Sequence, residues 1–212
     1  MKLDPVPVVR NLLNFLFPPL CPVCEERLSE EGICEVCWED ILKHLLLEPK
    51  VFYGFKVYSL LWYGGKVRDA IERMKYHGMR TLGEFFAVSL ADYVQHEGVE
   101  VVVPVPLHPA RVRERGFSQT DVIARAIARD LQIPFRKVLF RNRYTRPQAL
   151  LGREDRGRNV SGAFSCLQKL NGETVLLVDD VITTGSTFYH AASVLIKAGA
   201  GRVVGATIAR GK

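Results

Sequence analysis

Long apolar runs are missing from this chain of 212 residues. The richest stretch, Val6 to Leu16, is interrupted by Arg10, Asn11 and Asn14, and it falls well short of the roughly 20 residues that span a bilayer. No membrane span is therefore expected. No small-residue cleavage site follows, so no signal peptide is expected and the stretch reads as an amphipathic helix stopped by Pro18-Pro19. Without an export signal the expected compartment is the reducing cytoplasm, where structural disulfides are rare. Internal repeats and low-complexity tracts are also absent. His44, His77, His96, His108 and His190 show no paired ligand spacing, and only His77 and His108 lie beside candidate ligand loops.

What is present points to a folded α/β protein. At 48% hydrophobic the chain can bury one sizeable core and a small satellite. The formal charge of +6 is unevenly placed, because residues 105–160 hold thirteen Lys/Arg against five Asp/Glu. Such a segment suits an anionic ligand. Four of the five cysteines fall in the first 40 residues, which divides the chain into a small module over 1–48 and a larger domain over 49–212, with Glu48-Pro49-Lys50 as the linker.

In the larger domain, Phe52 to Tyr63 reads as one or two short strands. Lys66 to Tyr76 carries Val67, Ala70, Ile71 and Met74 on one helical face, and Thr81 to Gln95 reads as a second helix. Glu100 to Val105 is a nearly continuous apolar strand, the kind buried on both faces of a parallel sheet. Ser118 to Leu131 opens with a Ser-x-x-Asp capping pattern and continues at helical spacing. Phe135 to Phe140 reads as a strand. Thr174 to Val178, a helix from about Ser186 to Lys197 with Gly199 as its cap, and Arg202 to Ile208 complete a βαβ unit. This alternation predicts a mainly parallel, doubly wound sheet.

Three constellations carry chemistry. Cys21-x-x-Cys24 and Cys34-x-x-Cys37 are paired knuckles that supply four thiolates for structural zinc, a closed site with no open catalytic position. Val175 to Val178 runs into Asp179-Asp180 and then Val181-Ile182-Thr183-Thr184-Gly185-Ser186-Thr187. That order delivers two carboxylates, followed by a hydroxyl- and glycine-rich helix N-terminus, to the end of the sheet where ligands bind. Residues 104–117 leave a buried strand with Arg111, Arg113 and Arg115 within five positions, suited to pyrophosphate oxygens.

The acid-to-threonine stretch resembles the phosphoribosyl pyrophosphate (PRPP) motif of type I phosphoribosyltransferases. The resemblance implies that fold, with Asp179 and Asp180 on the ribose hydroxyls, Thr183, Thr184, Gly185, Ser186 and Thr187 around the 5-phosphate, and Mg²⁺ bound with PRPP. Further matches narrow it to the ComF competence group, which joins a zinc-ribbon-like N-terminus to a phosphoribosyltransferase domain. Arg115-Gly116-Phe117-Ser118-Gln119 is similar to that group's Arg-Gly-Phe-Asn-Gln, with Ser118 in place of Asn. Thr145, Gln148, Leu151, Arg156, Asn159, Gly162 and Phe164 follow its pattern, and Lys75-Tyr76-His77-Gly78 resembles its Lys-Tyr-x-Gly turn. Membership implies a role in DNA uptake and natural transformation, with other competence proteins as partners. Two functions are expected: phosphoribosyl transfer to an acceptor that no residue announces, or binding of single-stranded DNA with the PRPP site regulatory or vestigial. In the second, Arg141, Arg143 and Arg146 would neutralise phosphates among Phe135, Phe140 and Tyr144.

Overall fold

The computed structural model describes residues 19–28, 32–46, 48–142 and 162–211. The expected N-terminal helix lies outside the described residues. So do Arg143, Arg146, Thr145, Gln148, Leu151, Arg156 and Asn159.

Helix α1 (Glu35–Leu42) follows the second cysteine knuckle. Strand β1 (Lys50–Phe52) turns through Tyr53-Gly54, both at positive φ, into β2 (Phe55–Trp62), the backbone hand that matches strand twist in tight hairpins. Helices α2 (Gly65–Tyr76) and α3 (Arg80–Val94) come next, and Val67, Ala70, Ile71 and Met74 all bury as the periodicity demands. Strand β3 (Val101–Pro104) is buried at every position. A short helix α4 (Pro109–Arg115) precedes α5 (Gln119–Asp130), where the Ser118 hydroxyl accepts the Asp121 N–H at 3.3 Å. Strands β4 (Leu139–Arg141) and β5 (Phe164–Cys166) pair with each other away from the main sheet. Phe135 makes only a single bridge to Val102, so the expected 135–140 strand shrinks to its last residues.

Strand β6 (Thr174–Ile182), α6 (Ser186–Lys197) and β7 (Arg202–Arg210) close the domain. Pairing of β6 with β7 persists to Ile182 opposite Arg210. The strand therefore runs past the expected Val178 end, and the acid pair sits within it rather than after it. The main sheet has order β1-β2-β7-β6-β3, with every pairing parallel except β1 with β2. Side chains of α2, α3 and α5 fill one face and those of α6 the other, each with its own apolar cluster. This is the doubly wound α/β arrangement of the type I phosphoribosyltransferase fold.

The cysteine module is not insulated from this domain. Cys21, Val23, Cys37 and Ile41 belong to the same apolar cluster as α2 and α3. Across the linker, Leu46 N–H donates to the Leu60 carbonyl at 2.7 Å and Trp62 N–H to the His44 carbonyl at 2.7 Å.

A buried acid ties the far end of the sheet. Burial alone would raise Glu97, but Lys56 at 2.6 Å, the Tyr58 hydroxyl and Arg202 at 2.8 Å outweigh it and hold the carboxyl at about 2. A depressed carboxyl contributes stability that is complete above its ordinary value and is lost as pH falls through the folded one. Glu97→Gln should therefore cost roughly 1–3 kcal/mol at neutral pH through the donors left unpaired. In urea titrations the gap to wild type should narrow as pH falls below about 4.

Candidate active site

Successive side chains on a strand leave opposite faces, and the two acids of β6 follow that rule. Asp180 meets α2, where Lys75 Nζ lies 2.9 Å from its Oδ2. Asp179 meets the positive field of Arg141, from the end of β4. Its Oδ1 also accepts the Asp180 N–H at 2.9 Å. Desolvation, followed by the negative charge of Asp180, pushes the Asp179 carboxyl up to about 7 against the pull of that hydrogen bond, Lys75 and Arg141. Tyr63, just beyond β2, stands close enough to feel both Lys75 and Asp180, and its hydroxyl is raised chiefly by burial.

The strand leads through Thr183 and Thr184 to Gly185, whose φ of 77° is left-handed. A Cβ at Gly185 would stand 2.6 Å from the Phe52 ring. Only glycine satisfies both the torsion and the space. Beyond it the Tyr189 N–H donates to the Gly185 carbonyl at 2.8 Å, the first helical bond. A helix leaves its leading N–H groups without intrahelical acceptors, and here that positive end opens beside the acids. Gly185→Ala should displace the loop from Phe52. Thermal denaturation should show the displacement as a lower melting temperature, by about 2–4 °C for each kcal/mol lost.

The three closely spaced arginines lie on the short helix α4. Positions four apart share a helical face and the one between them does not. Arg113 accordingly points to solvent, while Arg111 and Arg115 are half-buried. Arg111 stands close enough to Arg141 for their charges to oppose each other. Arg115 turns to the α2 terminus. It stacks on the Tyr76 ring at 5.0 Å, donates to the Tyr76 hydroxyl at 3.4 Å and donates to Gln119 Oε1 at 3.1 Å. The fully buried Gln119 then donates to the Lys75 carbonyl at 3.4 Å. The 115–119 match and the 75–78 match, far apart in sequence, are thus one contact. Lys75 is the site residue that sequence reasoning missed, since the turn was matched without a role for its ammonium.

Arg141, expected on nucleic acid, lies within electrostatic reach of Asp179 and stacks on Phe164 at 5.4 Å. It also borders a groove of about 660 Å³ with Arg80, Phe117, Arg125, Lys137 and Phe140. There Arg80 covers the Phe117 ring at 4.8 Å.

In the N-terminal module the sulfurs of Cys21, Cys24, Cys34 and Cys37 all lie within 4.8 Å of one another, with Cys24 and Cys34 at 3.6 Å. Four zinc–sulfur bonds of about 2.3 Å in a tetrahedron place sulfurs about 3.8 Å apart, so the donor set fits structural zinc. Burial and the neighbouring sulfurs push the Cys37 thiol up. At Cys21 burial is outweighed by backbone N–H groups, chiefly that of Cys34, which hold the thiol at about 7.

Comparison with known proteins matches residues 12–49 to a double zinc ribbon domain and residues 120–212 to a phosphoribosyl transferase domain. Among solved structures, the purine phosphoribosyltransferase from Pyrococcus horikoshii is similar over 61% of this chain and 72% of its own, at 18% identity and a TM-score of 0.41. Fold, acid pair and cysteine cluster together define a phosphoribosyltransferase-fold protein with a zinc ribbon at its N-terminus. Competence protein F of Haemophilus influenzae is 28% identical over 90% of both chains. The DNA utilization protein YhgH of Salmonella typhimurium is 36% identical over 88% of this chain and 94% of its own. The chain belongs to the family of competence protein F, ComFC and YhgH. Among the described residues no helix is long and apolar enough to cross a membrane.

Proposed function

We propose that the chain binds PRPP and transfers its phosphoribosyl group to a nitrogen nucleophile, in support of the DNA uptake suggested by its relatives' names. The carrying observation is the acid pair, divided between Lys75 and Arg141 directly before the glycine-gated start of α6. In this reading Asp179 and Asp180 accept the ribose hydroxyls, and Thr183 to Thr187 take the 5-phosphate on backbone N–H groups and hydroxyls. Arg111 faces the departing pyrophosphate. Both carboxylates already face cations, so the donor set fits Mg²⁺ only as the ligand's own counter-ion. When bound, Mg²⁺ supplies charge neutralisation to pyrophosphate. The C1–O bond breaks with its electrons on pyrophosphate as the C1–N bond forms, and the nitrogen then gives up its proton to water. Incubating protein, Mg²⁺ and PRPP with bases, amines and single-stranded DNA should release pyrophosphate with one acceptor class. Release with none would refute transfer.

The groove beside Arg141 favours a second reading, single-stranded DNA binding, because Arg80, Arg125, Lys137 and Arg141 line it together with Phe117 and Phe140, the residue types of backbone-tracking, base-stacking sites. Replacing Arg141, Arg143 and Arg146 should weaken DNA binding and flatten its salt slope by about 0.7 per lost phosphate contact. An unchanged slope in fluorescence titrations would place the contact elsewhere.

A further inference from the structure

PRPP is a polyanion, yet the strand that would receive it presents two adjacent carboxylates. Two adjacent carboxylates repel each other, and one member tends to take up a proton, which ends its role as an acceptor. The structure contains a remedy outside the phosphate loop. Lys75 is the penultimate residue of α2. Its side chain is 19% exposed, and its ammonium lies 2.9 Å from Asp180 Oδ2 and feels Asp179 as well. Desolvation works against its charge, but the two acids prevail and raise it above the ordinary lysine value.

The lysine is also held in place. Its carbonyl accepts from Gln119, and the next residue, Tyr76, carries the stacked Arg115. A long flexible side chain loses substantial rotamer freedom when fixed in this way, and nothing in α2 packing requires a cation there, since its buried stripe is Val67, Ala70, Ile71 and Met74.

We propose that Lys75 is the resident counter-ion of the acid pair, a positioning residue that keeps both carboxylates available as acceptors for the ribose hydroxyls of a phosphoribosyl ligand. This role rests on the phosphoribosyl reading of the site. The groups that bear on the pair are Lys75 of α2, Tyr63 beyond β2 and Arg141 of β4, with Arg115 of α4 acting on Lys75, Arg111 on Arg141 and Glu72 and Arg68 on Tyr63.

The test compares wild type, Lys75→Met and Lys75→Arg. PRPP affinity is measured with Mg²⁺ by calorimetry from about pH 6 to 9, and the Asp179 carboxyl carbon is titrated by NMR without ligand. Lys75→Met should bind PRPP at least tenfold more weakly at pH 7 and recover much of that loss at pH 9. Its Asp179 midpoint should move up by at least about one pH unit, as the loss of an opposite charge requires. Lys75→Arg should stay close to wild type in both readouts. If Lys75→Met fails to fold, Lys75→Met with Asp180→Asn removes both partners, and the same rise of the Asp179 midpoint on removing Lys75 is read against Asp180→Asn alone. An equal affinity loss at every pH, or an Asp179 midpoint that does not move, overturns the proposal. Wild type that binds no PRPP refutes the phosphoribosyl reading instead, and the ligand-free titration still decides whether Lys75 sets the charge of the pair.

Discussion

Asp180→Asn should destabilise the fold by about 3 kcal/mol, because it strands the buried ammonium of Lys75, and breaking one side of a buried pair leaves an uncompensated charge. Asp179→Asn should act in the opposite direction. The Asp179 carboxyl is raised to about 7 by desolvation and by Asp180, so ionising it costs the native state. That cost is absent below the ordinary carboxylate value, grows as pH rises, and is complete above the folded value. Scanning calorimetry should find Asp179→Asn melting with wild type near about pH 4 and above it near about pH 8, by about 2–4 °C for each kcal/mol relieved. Both variants, and the double variant more so, should lose Mg²⁺-dependent PRPP affinity by tenfold or more, since each hydroxyl left unpaired costs about 1–3 kcal/mol. Opposite effects on stability with a shared loss of binding is an outcome that a purely structural acid pair cannot give. Equal melting of both single variants with affinity retained would remove the acids from the site.

The second large effect concerns zinc. Cys24→Ser removes one of four converging sulfurs, and structural zinc contributes its binding energy directly to folding. Metal analysis of wild type purified under reducing conditions should give zinc bound by Cys21, Cys24, Cys34 and Cys37, and the variant should lose it. The continuity of Cys21, Val23, Cys37 and Ile41 with the α2–α3 cluster means the damage should spread. Hydrogen exchange should accelerate over residues 32–46 and also along α2, while β6 and β7 stay protected. Wild type without zinc, or a variant that keeps it, would refute the assignment.

The elements were legible where a period repeats over several turns or where apolar residues run without a break, as in α2, α5 and β3. The order of acids, threonines and glycine before α6 also reads directly, because strand, loop and helix follow one another without a gap. The course of residues 109–115 did not read from sequence. Three arginines in five residues suggested convergence, and about half a helical turn separates Arg113 from the other two. Lys75 was illegible for a different reason. Its partner Asp180 lies more than a hundred positions away, and only the packing of α2 against the sheet joins them. The end of β6 was placed too early because sequence shows the change of polarity at Asp179, whereas the strand is kept going by hydrogen bonds to β7.

The sheet order also governs how the molecule comes into being. Strands β7 and β6 stand between β2 and β3, yet both follow them in sequence. During synthesis β2 and β3 emerge with no central partner, and the apolar faces of α2, α3 and α5 have no completed sheet to cover until residues 174–210 arrive. Contacts of such long sequence separation form slowly and leave the nascent chain exposed to aggregation. The loop of Thr183, Thr184 and Gly185, lying between the two late strands, therefore forms only after the rest of this sheet has been made.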